Sequence, residues 1–204
     1  MKETILVLYS GGLDSTVMLH LLLTQEKYKQ YNIHVHHVHI RNQERRAVAE
    51  TAAVTKSLQW FIDNRYREFS YSDADITFGS YNNKFLFDTD VTYFFAGYIA
   101  SCDKSITKIA YGATATDFEE AGLNDRVQRS RNIFKAFVDI ERILPLLELT
   151  KTEIYQLLPE GLRDKFWSCR KPVYANRIAT PCGQCKTCKQ LEEFGIKNNT
   201  LALV

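Results

Sequence analysis

The sequence lacks what several protein classes require. Four prolines and nine glycines in 204 residues form no linker-like stretch, and there is no internal repeat or low-complexity segment. One compact domain with at most a small appendage is therefore the expectation. No apolar run approaches the ~20 residues that a membrane-crossing helix needs. The first apolar run, ending at Leu8, is broken at once by Ser10-Gly11-Gly12 instead of a small-residue cleavage site, so a soluble, cytoplasmic protein is expected. Charge of one sign is missing too. Lys and Arg number 26 against 24 Asp and Glu, a formal charge of +2, which removes the electrostatic argument for a dedicated nucleic-acid binder and favours small-molecule chemistry.

What the chain does contain is a sizeable apolar fraction, 45% with 12% aromatic residues, enough for one substantial core. Residues 3–9 read as a strand, 10–16 as a tight polar loop and 17–23 as a helix. A second strand and helix follow at 32–40 and 44–58, and a third strand is expected at 65–71 with a loop or lid at 72–83. Then come a helix at 87–102, a strand at 106–111, a helix at 123–137 and a short strand at 143–144. Thr150 with Glu153 has the spacing of a capping box and opens a last short helix that Pro159 stops. Strands alternating with helices predict an α/β fold, a doubly wound Rossmann-like parallel sheet with ligands at the strands' carboxyl ends. The expected division is 1–166 for that domain and 167–204 for a metal-stapled appendage.

Ser10, Gly11, Gly12, Leu13, Asp14, Ser15 and Thr16 join the first strand to its helix. The two glycines permit positive φ and close backbone approach, the hydroxyls add donors, and a helix N-terminus favours an anion. This is a phosphate cradle. Asp14 would repel phosphate unless a cation lay between them, which implies Mg²⁺. The string is neither a Walker A loop nor the G-x-G-x-x-G fingerprint. It resembles the pyrophosphate loop (PP-loop) of the N-type ATP pyrophosphatases, enzymes that split ATP into AMP and pyrophosphate.

Five cysteines is an odd count, and Cys169, Cys182, Cys185 and Cys188 cluster near the C-terminus. Two overlapping C-x-x-C units plus a fourth sulfur suit a tetrahedral thiolate site. Structural Zn²⁺ is preferred to an iron–sulfur cluster, given Gly183 and the flanking Lys186 and Lys189. Cys102 reads as a small buried hydrophobe inside its helix.

The Ser-Gly-Gly-Leu-Asp-Ser-Thr string together with Trp167-Ser168-Cys169 and Pro181-Cys182-Gly183-Gln184-Cys185-Lys186-Thr187-Cys188 resembles the 7-cyano-7-deazaguanine synthase (QueC) family. Pro145-Leu146 and Leu149-Thr150-Lys151-Thr152-Glu153-Ile154 are similar to a further segment of that family. Tyr111-Gly112-Ala113, Asp117-Phe118 and Asp125-Arg126 follow its substrate loop more loosely, making Asp117 and Asp125 candidate substrate contacts. The resemblance implies an adenine nucleotide alpha hydrolase-like fold and a homodimer. It also implies ATP-dependent conversion of 7-carboxy-7-deazaguanine and ammonia, through an acyl-adenylate and an amide, to the nitrile used in queuosine biosynthesis. Asp14 and Lys151 are then the candidate catalytic residues. Lys151 would stabilise developing phosphate charge, since a cation in a helix's first turn opposes the dipole and wants another reason to be there.

The chain departs from the family at Leu86-Phe87-Asp88-Thr89-Asp90, at Thr114 and in the wider spacing from Cys169 to Cys182. These changes touch the acceptor side more than the ATP side. Alternative readings are an adenylating amidase or ligase on another carboxylate, a PP-loop enzyme that modifies a tRNA base, and a non-catalytic nucleotide-binding module. His34 and His36 face one way along their strand and His37 and His39 the other, so the four cannot converge on a metal. They are expected to be packed or exposed strand residues, with His39 nearest a substrate.

Overall fold

The computed structural model describes residues 2–77, 88–114 and 123–203. Five parallel strands form the central sheet: β1 (Thr4–Leu8), β2 (Asn32–Arg41), β3 (Ser70–Thr77), β4 (Ile106–Ala110) and β5 (Glu141–Ile143), in the order β3-β2-β1-β4-β5. The helices are α1 (Leu13–Thr24), α2 (Ala47–Asp63), α3 (Asp88–Cys102), α4 (Leu123–Lys135) and α5 (Lys151–Leu157). The chain builds outward from β1 to one side and then returns to build on the other. That reversal leaves a crevice at the carboxyl end of β1, where the Gly-rich loop begins.

β1 shows no alternation of polar and apolar residues because both of its faces are covered. Ile5, Val7 and Tyr9 pack with α1, α2 and α5 on one side, while Leu6 packs with Tyr93, Ala96, Ala100 and Phe134 of α3 and α4 on the other. The fold is therefore a helix–sheet–helix sandwich, as the alternation of elements predicts.

Three local expectations change. The third strand starts later than 65–71 and runs through residues expected to be loop. Arg67 ties the lead-in down by donating to the carbonyls of Leu22, Tyr28 and Tyr31. The polar strand is then stabilised across the ladder, His39 against Asp73 and Arg41 against Asp75, and this favours an edge position. α2 starts at Ala47, after a turn in which Asn42 accepts from the Glu44 amide and Arg45 takes φ 56°. Cys102 is exposed, because α3 ends there and its side chain leaves the packed face. The capping box at α5 forms in full, with Thr150 and Glu153 exchanging bonds.

The C-terminal segment adds a small antiparallel sheet, β6 (Val173–Ala175), β7 (Ile178–Thr180) and β8 (Leu201–Ala202), and helix α6 (Lys186–Glu193). Asn176 and Arg177, both at positive φ, make the two-residue turn that matches strand twist. This segment packs on α2 through Ala49, Ala53, Trp167 and Leu201. No helix among the described residues is long and apolar enough to cross a membrane.

Candidate active site

At the end of β1 the chain turns sharply through Gly11 at φ 71°, and a Cβ there would lie 2.9 Å from the Val54 nitrogen of α2. Only glycine lets the loop sit this close to α2. The hydroxyls stiffen it in a ring: the Gly12 amide donates to Ser10 Oγ at 3.3 Å, Ser10 and Ser15 hydroxyls meet at 3.1 Å, and Ser15 Oγ donates to the Gly12 carbonyl at 3.1 Å. Thr16 Oγ1 donates to the same carbonyl at 2.8 Å. The hydroxyls of Ser15 and Thr16 are thus buried in holding the loop, and Leu13 belongs to the core. Gly12 is the N-cap of α1 and brings no side chain to the first-turn amides, which have no acceptor within the helix. The helix start remains suited to an external anion.

Lys151, first residue of α5, reaches back across 137 positions of sequence to Asp14. Its Nζ lies 2.7 and 2.8 Å from the two carboxylate oxygens. Two candidate catalytic residues from distant segments thereby meet at the loop. Gly112, after β4, closes the other side, where a Cβ would stand 3.1 Å from the Asp14 backbone.

Beside the loop a cavity of about 480 Å³ opens between the carboxyl ends of β1, β2 and β4 and the starts of α2 and α3. Ser10, His36, Tyr93, Tyr111 and Ser130 line it, together with a charged cluster at one end. In that cluster the largely buried Arg46 forms an ion pair with Glu50 Oε1 at 3.0 Å and a closer hydrogen-bonded one with Asp88. Glu44 lies 3.0 Å from Arg46 Nε, near enough for charge attraction though out of line for a hydrogen bond. Arg170 bonds both Glu44, at 3.0 and 3.1 Å, and Asp88, at 3.1 Å. Burial works against the charge on Arg46, but Glu50, Asp88 and Glu44 outweigh it and hold the guanidinium firmly protonated. Burial pushes the Glu50 carboxyl up, with Arg46 opposing.

Sequence reasoning did not find this cluster. The available signal was Arg45-Arg46 just ahead of a helix start, where cations oppose the dipole and need carboxylate partners.

The four clustered cysteines do converge, all their sulfurs lying within 4.8 Å of one another. Neighbouring sulfurs stand 3.4 to 4.0 Å apart. Tetrahedral coordination at about 2.3 Å per bond puts sulfurs about 3.8 Å apart, so the set fits a single thiolate-bound ion. Burial works to raise the Cys182 thiol, yet amide bonds from Gln184 and Cys185 draw it down to about 6. Trp167 connects this centre to the loop. Its amide donates to the Gly11 carbonyl at 2.9 Å, and its indole N–H to the Cys169 carbonyl at 2.8 Å.

The remaining candidates are scattered. Asp125 is exposed in the first turn of α4, where a carboxylate suits the dipole. Asp117, with Leu86 and Phe87, lies outside the described residues. Thr114 is buried, and Asp90 pairs with Arg129 and Ser130 of α4. The histidines alternate as expected, but the one expected nearest a substrate is not. His39 is held between Thr51 and Asp73, whereas His36 and His37 line the cavity.

No family model matches the chain, and no curated protein matches it in sequence. Solved structures do match its fold. One is the U34-tRNA thiolase NcsA from Methanococcus maripaludis with its 4Fe-4S cluster, at a TM-score of 0.55 and 18% identity over 81% of this chain. The match covers 59% of the thiolase, so this chain spans less than two thirds of that enzyme's length. What the two share is the fold, which in this chain is an α/β architecture on a five-stranded parallel sheet.

Proposed function

We propose that this protein is an ATP-using enzyme that adenylates a carboxylate at the Gly-rich loop. The observation that carries the reading is the Asp14–Lys151 pair beside the uncapped start of α1, next to a cavity large enough for a nucleotide portion or an acceptor. The loop amides and Lys151 would hold ATP phosphates, and Asp14 would hold Mg²⁺. When bound, that ion neutralises charge on the phosphates. The pairing keeps the Lys151 ammonium and the Asp14 carboxylate positioned and compensated before ATP arrives. Once ATP binds, the ammonium turns to phosphate charge that develops as the acceptor oxygen attacks the α-phosphate.

The acceptor we favour is 7-carboxy-7-deazaguanine, with ammonia as second substrate and the nitrile as product. The loop string, the segment 145–154 and the cysteine tail support it by their resemblance to the synthase family. Residues 1–166 would supply the ATP chemistry and 167–204 a zinc-bound segment. Sulfur separations of 3.4 to 4.0 Å favour one ion over a four-iron cluster, which interposes several metals and spreads its thiolates. The ion would be structural, folding the segment that anchors Trp167 to the loop.

A second reading, sulfur transfer to a tRNA base, is supported by the fold shared with a tRNA thiolase that carries an iron–sulfur cluster. The near-neutral charge speaks against it. The test is mass spectrometry of products after incubation with ATP, Mg²⁺, an ammonium salt and 7-carboxy-7-deazaguanine. The nitrile with AMP is expected. Absence of any product from this acceptor, with thiolated nucleoside recovered when tRNA and a sulfide source replace it, would favour the second reading.

A further inference from the structure

Two histidines that line the cavity, His36 and His37, each keep a buried Nε2 with no hydrogen-bond partner among the described residues, and neither has a part in the adenylation chemistry. His36 is 3% exposed. It sits directly beside the phosphate cradle. His36 is in register with Leu8, and its carbonyl accepts from the Tyr9 amide at 2.9 Å, one residue before Ser10.

The other ring nitrogen ends a chain of hydrogen bonds that crosses from β2 to β3. His36 Nδ1 meets Ser72 Oγ at 2.8 Å, Ser72 Oγ meets His34 Nε2 at 2.7 Å, and His34 Nδ1 meets Ser70 Oγ at 2.8 Å. Each hydroxyl has a single proton, so Ser72 can donate to at most one of the two rings. Ser70 Oγ also lies 3.4 Å from the Ile33 carbonyl, an acceptor open to its proton. If that proton goes to the carbonyl, Ser70 accepts from His34 Nδ1, and neutral His34 offers Nε2 as acceptor to Ser72. Ser72 then accepts from His36 Nδ1–H. His36 Nε2 is left as a bare lone pair. The reverse polarity would bury an unpaired N–H there, the rarer and costlier outcome. Both rings are kept neutral, since burial lowers the His34 pKa and takes that of His36 down to about 4.

We infer that His36 is a specificity residue that reads the base of the bound nucleotide, its Nε2 accepting a hydrogen bond from an amino group of the adenine type. The inference rests on the reading that ATP phosphates occupy the Gly-rich loop. From there the base has the cavity to enter, with Tyr93 and Tyr111, their rings 5.4 Å apart, in its lining. A bare nitrogen acceptor matches an exocyclic amine and meets a guanine-type oxo group lone pair to lone pair. Ser70, His34 and Ser72 are positioning residues that fix this tautomer from the neighbouring strand.

The experiment is calorimetric binding of ATP, GTP and purine riboside triphosphate, which lacks the amino group, to the full-length metal-loaded chain. Wild type should prefer ATP to each of the others by about 5- to 150-fold, the range for leaving a buried polar group unpaired. In His36→Phe, ATP should fall to the affinity of purine riboside triphosphate. Ser72→Ala frees the ring to change tautomer, and should narrow the ATP/GTP ratio while keeping the wild-type fold by circular dichroism. ATP binding with wild-type selectivity in both variants overturns the inference and leaves the ATP reading standing. Failure of every triphosphate to bind wild type overturns the ATP reading, and the inference with it.

Discussion

The Gly-rich loop and the cysteine tail, joined at Trp167, are held together in opposite ways. The loop's hydroxyls are satisfied without any added group. Ser10, Gly12 and Ser15 lie within six residues and satisfy one another, and Gly11 makes the turn. The tail draws four thiols from residues 169 to 188 into a space where only a metal ion balances their charge once they ionise. A site built from neighbours in sequence is preorganised by its backbone, whereas separated sulfurs would need an ion to draw stability from.

The largest expected effect follows from that difference. Chelation, or Cys185→Ser, should release about one ion per chain and make the tail sensitive to protease while the central sheet persists. Retention of metal by Cys185→Ser would contradict the four-thiolate site.

Next comes the charged cluster that ties the tail to the starts of α2 and α3, with Arg46 beside α2 and Arg170 from the tail both bonded to Asp88. Arg46→Leu strips three carboxylates of their buried partner and should cost about 3–5 kcal/mol in denaturant titration. A loss under about 1 kcal/mol would show that the cluster neither holds the tail nor needs its charge balance.

How legible this was from sequence depended on distance along the chain. The strand–loop–helix unit at 4–24 and the capping box are local, and each was readable from residue types at fixed spacing. β3 was misplaced because its stability comes from pairing with His39 and Arg41, 34 residues earlier. The charged cluster was invisible for the same reason, since Arg46 and Arg170 reach Asp88 across 42 and 82 positions. The strand period assigned the histidine faces correctly, but which nitrogen stays bare depends on Ser72 in another strand.

A smaller effect concerns pH. His36 and His37 are both pulled down to about 4, chiefly by burial, from an ordinary value of 6.5. Between those values the unfolded chain binds protons that the folded one refuses, so stability should fall as pH drops from 6.5 toward 4. Thermal melts across that window check it, and a melting temperature that stays flat or rises would be against the buried neutral rings. The smallest expected effect is Thr150→Ala, which removes the cap beneath Lys151 and should cost about 1 kcal/mol in chemical unfolding. Its effect on ATP turnover should exceed what that loss explains if the cap positions Lys151.

On the proposed function, the Gly-rich loop with Asp14 and Lys151 splits ATP between its α- and β-phosphates. The most direct test is chromatographic identification of the nucleotide products formed by wild type and Asp14→Asn with Mg²⁺, ammonium and the carboxylate acceptor. Wild type should give AMP and pyrophosphate, and Asp14→Asn neither, with the variant's fold intact. ADP and phosphate from wild type, or undiminished AMP from Asp14→Asn, would contradict it.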